Sequence, residues 1–189
     1  MFSKIMNYDK IDAKELGQSL KGLGINLLVS SVKNTSIFLR TIFNIELFQQ
    51  TDDFAIAKYE NQIFQLHADT TYHNNPLPNL LPENGARGAG VEIRLYNSNP
   101  DVAEKLARKY NYKILQSCTN KPHGLRECYI LDNDGYCWIP SSQQERSTTR
   151  NVEGFNLYYF FSTSFNNDLR SSGLIYIVRF LFSSLGHMF

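Results

Sequence analysis

The sequence predicts an α+β fold of two βαβββ modules that form a curved, mainly antiparallel sheet with helices outside. Three observations carry this expectation. An alternating apolar strand at 24–30 (GINLLVS) leads into a helix-period segment at 34–43 and then into three short strand candidates. The same order returns from Gly90 onward. The run Asp132-Asn-Asp-Gly135 then supplies a tight turn inside the second unit. A repeated supersecondary unit constrains the fold more than any single residue does. Each unit has an apolar face that must be covered by another layer.

Residues 1–20 are polar and read as an arm that packs on the domain. One or two helical turns begin at Asp12, whose carboxylate suits an N-cap, and Gly22 marks the stop. In the first strand Ile25, Leu27 and Val29 share one face and Gly24, Asn26 and Leu28 the other, because strand side chains alternate. The helix that follows takes Asn34 as its cap and ends near Asn44. Segments 45–49, 54–59 and 62–68 read as strands, separated by the polar turns at 51–53 and 60–61. Pro76, Pro78 and Pro82, with Gly85, Gly88 and Gly90, make 69–89 a long loop, and loops of that length are usually functional or linking. In the second unit Val91, Ile93 and Leu95 alternate with Glu92, Arg94 and Tyr96. Asn99 caps a helix with Pro100 at its first position. Segments 112–118, 126–131 and 136–139 complete the unit. The domain thus covers 21–141, with modules at about 21–69 and 88–141, followed by an aromatic-rich extension at 142–189. Within that extension, 173–182 is apolar except for Arg179 but falls short of the roughly 20 residues of a spanning helix. It reads as a segment that packs on the domain or on a partner, with membrane insertion as the lesser alternative.

Composition narrows the function classes. The chain has 189 residues, 42% hydrophobic and 20% charged, enough for a core without staples. A net charge of +1 with dispersed Lys and Arg gives no field that favours nucleic acid or an anionic membrane. Three cysteines (Cys118, Cys128 and Cys137) without a CxxC pair argue against a disulfide framework or a structural zinc site. They read as buried thiols in a reducing compartment. With no apolar N-terminal segment of the secretory kind, the expected location is cytoplasmic. The glycines at 85–90 precede a strand, so they lack the strand-to-helix context of a phosphate loop.

Several segments resemble a known family. The pair 23–29 (LGINLLV) and 35–39 (TSIFL) resembles the first strand and helix of the vicinal-oxygen-chelate proteins, the glyoxalase/bleomycin-resistance/dioxygenase superfamily. FQLHAD at 64–69 is similar to their fourth strand and GAGVEIRL at 88–95 to the fifth. The stretch 121–140, with its Asp-x-Asp-Gly turn, is similar to the closing hairpin. The resemblance spans about residues 18–141 and implies a sheet-lined cup, often shared across a homodimer. Enzymes of the family hold a divalent metal there as a Lewis acid, whereas antibiotic-sequestering members bind ligands without one.

The family's metal ligands come from the first, fourth, fifth and eighth strands. Here the first strand offers Gly24, which has no side chain to ligate, or Asn26, a poor transition-metal ligand. The fourth offers Gln65 and His67, the fifth Glu92, and the eighth has Ile139 where the family has a carboxylate. His67 and Glu92 are the surviving metal candidates, one short of the usual three ligands, with His73 or His123 as loop sources. The resemblance therefore implies a metal-independent protein with no cofactor, binding a small organic molecule through Asn26, His67, Glu92, Arg94 and Tyr129. The alternative is a metal-dependent lyase, isomerase or dioxygenase using His67 and Glu92. Each residue also has a structural reading: His67 as a hydrogen-bonded buried ring, Glu92 and Arg94 as an ion pair, and Tyr129 (beside Glu127) as a packing wall. A third alternative is a vestigial site, with the aromatic extension making the chain an interaction partner.

Overall fold

The computed structural model describes residues 6–72, 74–82 and 85–144. The element order is α1 (Ala13–Ser19), β1 (Asn26–Val29), α2 (Val32–Phe43), β2 (Glu46–Phe48), β3 (Phe54–Tyr59), β4 (Gln62–Ala68), two 3-10 turns (Asp69–Tyr72 and Leu77–Leu80), β5 (Glu92–Tyr96), α3 (Pro100–Lys109), β6 (Lys113–Asn120), β7 (Leu125–Leu131) and β8 (Cys137–Gln143). Two four-stranded sheets result, ordered β1-β4-β3-β2 and β5-β8-β7-β6. In each, the first strand pairs parallel to the last and the other pairs are antiparallel. The repeated βαβββ order is therefore present in full. The extension expected at 142–189 starts too early, since Ser142 and Gln143 belong to β8; its remainder beyond 144, and His73, lie outside the described residues.

Local sequence explains most element ends. Asp12 caps α1 by accepting the Glu15 N–H, and Asn99 caps α3 by accepting the Val102 N–H with Pro100 at the first helical position. Asn44 takes the left-handed conformation that closes α2. The cap of α2 is a correction. Ser31, not Asn34, occupies it: the Ser31 hydroxyl accepts the Asn34 N–H, so the cap lies three residues earlier and α2 starts at Val32. Strand β8 also runs past Pro140 to Gln143. A proline lacks the donor that a central strand needs. The β7 ladder meets that lack by skipping the Cys128/Pro140 and Tyr129/Ile139 positions while keeping register on both sides.

One core serves both sheets. Leu27, Phe64 and Leu66 from the first sheet, Leu95, Ile130 and Trp138 from the second, and Phe38, Leu39 and Ala107 from the helices form a single cluster. Trp138 is its centre, with ring centroids 5.8 Å from Phe64, 5.9 Å from Phe43 and 6.1 Å from Phe38. Because strand side chains alternate, the faces carrying Gln65 and His67 on one sheet, and Arg94 and Glu127 on the other, both turn away from this core.

The Asp132–Gly135 turn and the glycine-rich loop lock the modules together. Arg87 holds Asp69 at the end of β4 with two bonds of 2.6 and 2.9 Å, and its Nε lies 3.3 Å from Asp134. The Arg87 guanidinium keeps the Asp69 carboxyl below its ordinary value. Asp134 also accepts the backbone N–H of Ser30 at the end of β1. The close approach explains two glycines. A Cβ on Gly88 would sit 2.4 Å from Tyr136 Cα, and one on Gly135, at φ +77°, would sit 2.4 Å from Ala86 Cβ.

The N-terminal arm packs where the sequence gives no warning. Ile11 and Leu16 bury against Ile56, with Tyr8, Phe48, Phe54 and Ile63 around them. In the register, Ile56 pairs with Gln65 and Phe54 with His67, so these are side chains of the same sheet face. Gln49 Nε2 fixes the arm by donating to the carbonyls of Tyr8 and Ile11. The arm therefore covers the β2–β3 side of the face that also carries His67.

Candidate functional site

The five candidate ligand residues divide between the two sheets. Asn26 and His67 lie on the first, and their strands pair with Asn26 opposite Gln65 and Leu28 opposite His67. Glu92, Arg94 and Tyr129 lie on the second.

On the first sheet the polar groups are largely spent on one another. Asn26 Nδ2 donates to Tyr72 Oη at 3.2 Å. The His67 ring packs edgewise against Phe54 and Tyr72. Its Nδ1 lies 3.2 Å from Thr71 Oγ1 and its Nε2 3.1 Å from Gln65 Oε1, an atom interchangeable with the amide nitrogen by a half-turn of the amide. Thr71 donates its own proton to the Ala68 carbonyl, so its oxygen accepts from Nδ1–H. In the neutral ring Nε2 is then an acceptor, served by the Gln65 NH2 once that amide is turned. Burial depresses the His67 pKa below its ordinary 6.5, which favours this neutral form. The unfolded chain therefore binds the proton more readily. The contribution of His67 to stability is expected to be complete above about pH 6.5 and to fall as pH drops through that value. The same pH series on His67→Gln, read as melting temperature, should lack this component; parallel curves would refute it.

The second sheet carries a denser charged cluster. Glu127 on β7 has no solvent exposure. Arg94 Nη2 donates to both of its oxygens at 2.9 and 3.0 Å, and His123 Nε2 donates to Oε1 at 3.1 Å. Ser141, opposite Glu127 in the β7–β8 ladder, approaches the same oxygen at 3.5 Å. Arg94 Nη1 also lies 3.7 Å from Glu92, whose side chain is half exposed. Two residues along from Glu127, Tyr129 lies under Lys121 Nζ at 4.7 Å from the ring centroid. Buried charges persist only when paired and hydrogen-bonded. Glu127 meets that condition, while Arg94 and His123 retain donors that no acceptor among the described residues uses. Sequence reading placed Glu127 beside Tyr129 but did not choose it. His123, four residues before it on the preceding turn, reads from the sequence as a solvated turn residue, a lid residue or a loop source of a metal ligand, none of which anticipates its bond to Glu127. The missed signal is the acidic residue inside a strand that otherwise packs into the core.

The fit to a family-type metal centre is poor within one chain. Both nitrogens of His67 are bonded, Glu92 is on the other sheet beside Arg94, and Ile139 is fully buried where a carboxylate would be needed. Among the described residues no group of three metal-ligating side chains contains His67 or Glu92. This donor set falls short of the three protein ligands that such a centre needs. The cysteines are poor nucleophiles: burial raises Cys128 to about 11 and also raises Cys118 and Cys137.

Solved structures with this arrangement decide the fold. A glyoxalase/bleomycin resistance protein/dioxygenase family enzyme from Burkholderia phytofirmans PsJN superposes with a TM-score of 0.54 at 10% identity, covering 64% of this chain and 96% of that one. The fold is that of the vicinal-oxygen-chelate proteins. A glyoxalase-related enzyme from Fulvimarina pelagi (TM-score 0.53, 11% identity, 65% of this chain and 88% of that one) has it too. So does a glyoxalase/bleomycin resistance protein/dioxygenase from Nocardioides (0.51, 16%, 69% and 91%). No family model and no curated protein matches the sequence. Among the described residues no helix is long and apolar enough to cross a membrane.

Proposed function

We propose that this vicinal-oxygen-chelate-fold chain binds a small organic ligand on the polar face of its second sheet, without a metal. The observation that carries the reading is the fully buried Glu127 carboxylate, held by Arg94 and His123 on a face that points away from the core. A carboxylate is costly to hold there. It fixes Arg94 rigidly, and a rigid guanidinium presents its remaining donors to a ligand oxygen with little further loss of entropy. Tyr129 supplies an aromatic surface beside these donors, and Glu92 an exposed acceptor for a cationic or donor group. Asn26 and His67, on the first sheet, complete the cup when a second copy of the chain brings its first module over this face, which is the role of a homodimer in this reading.

The test is a thermal-shift screen of aromatic and cationic compounds against the full chain. A ligand at a hundred times its Kd stabilises the folded state by about 2.7 kcal/mol. The expected result is a clear rise in melting temperature that is lost in Tyr129→Ala and Arg94→Lys. Failure of every compound, or equal stabilisation of the variants, would refute the reading. One tightly held metal per chain that disappears in His67→Ala would replace it with the metal-dependent lyase, isomerase or dioxygenase.

A further inference from the structure

A second cluster lies on the opposite face of the same sheet, between α3 and the β6–β7 hairpin. Glu104 on α3, Cys118 on β6 and Cys128 on β7 each offer one ligand atom, and all three atoms lie within 4.8 Å of one another. A β-bulge makes this possible. Gln116 pairs with Tyr129 and Thr119 with Glu127, so the two residues Ser117 and Cys118 oppose the single Cys128. The extra residue turns Cys118 inward, against the same core that receives Cys128.

We propose that Glu104, Cys118 and Cys128 form a binding site for a thiophilic divalent cation of the zinc class, separate from the ligand face. Zinc–sulfur bonds of about 2.3 Å set two tetrahedral sulfurs roughly 3.8 Å apart, within the span these side chains already have. Two thiolates and a carboxylate are the soft, anionic set that selects zinc-like ions over magnesium or calcium. The carboxylate is already aimed: Glu104 Oε2 accepts the Cys118 backbone N–H at 2.6 Å and Oε1 accepts Arg108 Nε at 3.0 Å. Such outer bonds orient a ligand while leaving lone pairs for a metal. Asp101, one turn earlier on α3, is held by two bonds from Arg126 and stays outside the set. Three protein ligands leave the fourth tetrahedral position to water. Each thiol loses its proton on binding, and the metal ties α3 to the β6–β7 hairpin.

Cobalt(II) is the probe, because thiolate ligation gives it a charge-transfer absorption that carboxylate or imidazole ligation does not. Titration of the reduced full-length chain is expected to show one cobalt per chain with that band, and zinc should displace it. Cys118→Ser, at the partly exposed position, removes the band while circular dichroism stays native. Glu104→Gln weakens binding by more than about ten-fold. Cys137→Ala and His67→Ala leave the band unchanged, which separates this site from any metal on the ligand face. A folded wild-type chain without the band, or a band that survives in Cys118→Ser, would overturn the proposal. So would a wild-type chain whose Cys118 and Cys128 are joined in a disulfide under the reducing conditions of the titration.

Discussion

Asp132→Ala is expected to cost about 4 kcal/mol of stability, enough to leave a chain of ordinary marginal stability near unfolding. The reason is a count of orphaned donors. Asp132 is almost fully buried, and its carboxyl accepts the backbone N–H groups of Asp134 and Tyr136 and the indole N–H of Trp138, at 3.0, 2.9 and 2.9 Å. Trp138 has no solvent exposure, so no water replaces the lost acceptor. A buried donor left unsatisfied costs about 1–3 kcal/mol. The loss also spreads, since Trp138 centres the core common to both modules and the same turn presents Asp134 to Arg87 and Ser30. Urea unfolding followed by tryptophan fluorescence measures it directly, Trp138 being the chain's one tryptophan. Burial also lifts the Asp132 carboxyl to about 6, against the hydrogen bonds that lower it. The folded state then binds the proton more readily than the unfolded state. The stability tied to this group is largest below the ordinary carboxylate value and is lost as pH rises through about 6. The gap between wild type and Asp132→Ala should therefore widen as pH is lowered from 7 to 4. A loss under 1 kcal/mol, or a gap that narrows toward acid, would contradict the account.

Arg94→Met is the second large effect, expected to cost about 3 kcal/mol. Among the described residues it leaves the buried Glu127 with His123 and Ser141 as its remaining partners. Removing one member of a buried pair typically costs 3–5 kcal/mol. The lower end applies because Arg94 is about a quarter exposed, so water reaches part of the vacated space. Replacing both members by apolar residues, Arg94→Met with Glu127→Leu, should recover most of the loss, because the desolvation cost disappears with the charge. A double-mutant cycle from chemical denaturation gives the coupling. If the double variant is as unstable as the single one, the pair is contributing net stability. In that case the argument that the fold keeps it for ligand recognition fails.

The arrangement of these residues explains why some of the molecule was legible and some was not. Caps are local: Asp12 and Asn99 each bond a backbone N–H three residues on, so a short window contains the whole interaction. The Asn34 expectation erred because Ser31 is an equally good cap nearer the start, and only the path of the backbone chooses between them. Alternation placed Glu92 and Arg94 on one face, but it could not tell that Arg94 reaches across β8 to Glu127, which lies 33 residues away in sequence. The strand expected to end at Ile139 runs on to Gln143, because Pro140, which has no donor, falls where the β7–β8 ladder skips two positions and keeps register on both sides.

The sequence by itself determined the repeated βαβββ order, the turn at 132–135 and the faces of the strands, because each follows from periodicity or from interactions a few residues long. Tertiary structure alone decided the rest. It put both sheets on one core through Trp138, laid the N-terminal arm over the His67 face, and separated His67 from Glu92. A bulge also brought Cys118 to Cys128 and Glu104. All of these depend on which face meets which neighbour. That choice is made by the free energy of burying whole surfaces together, a quantity that no window of the sequence contains.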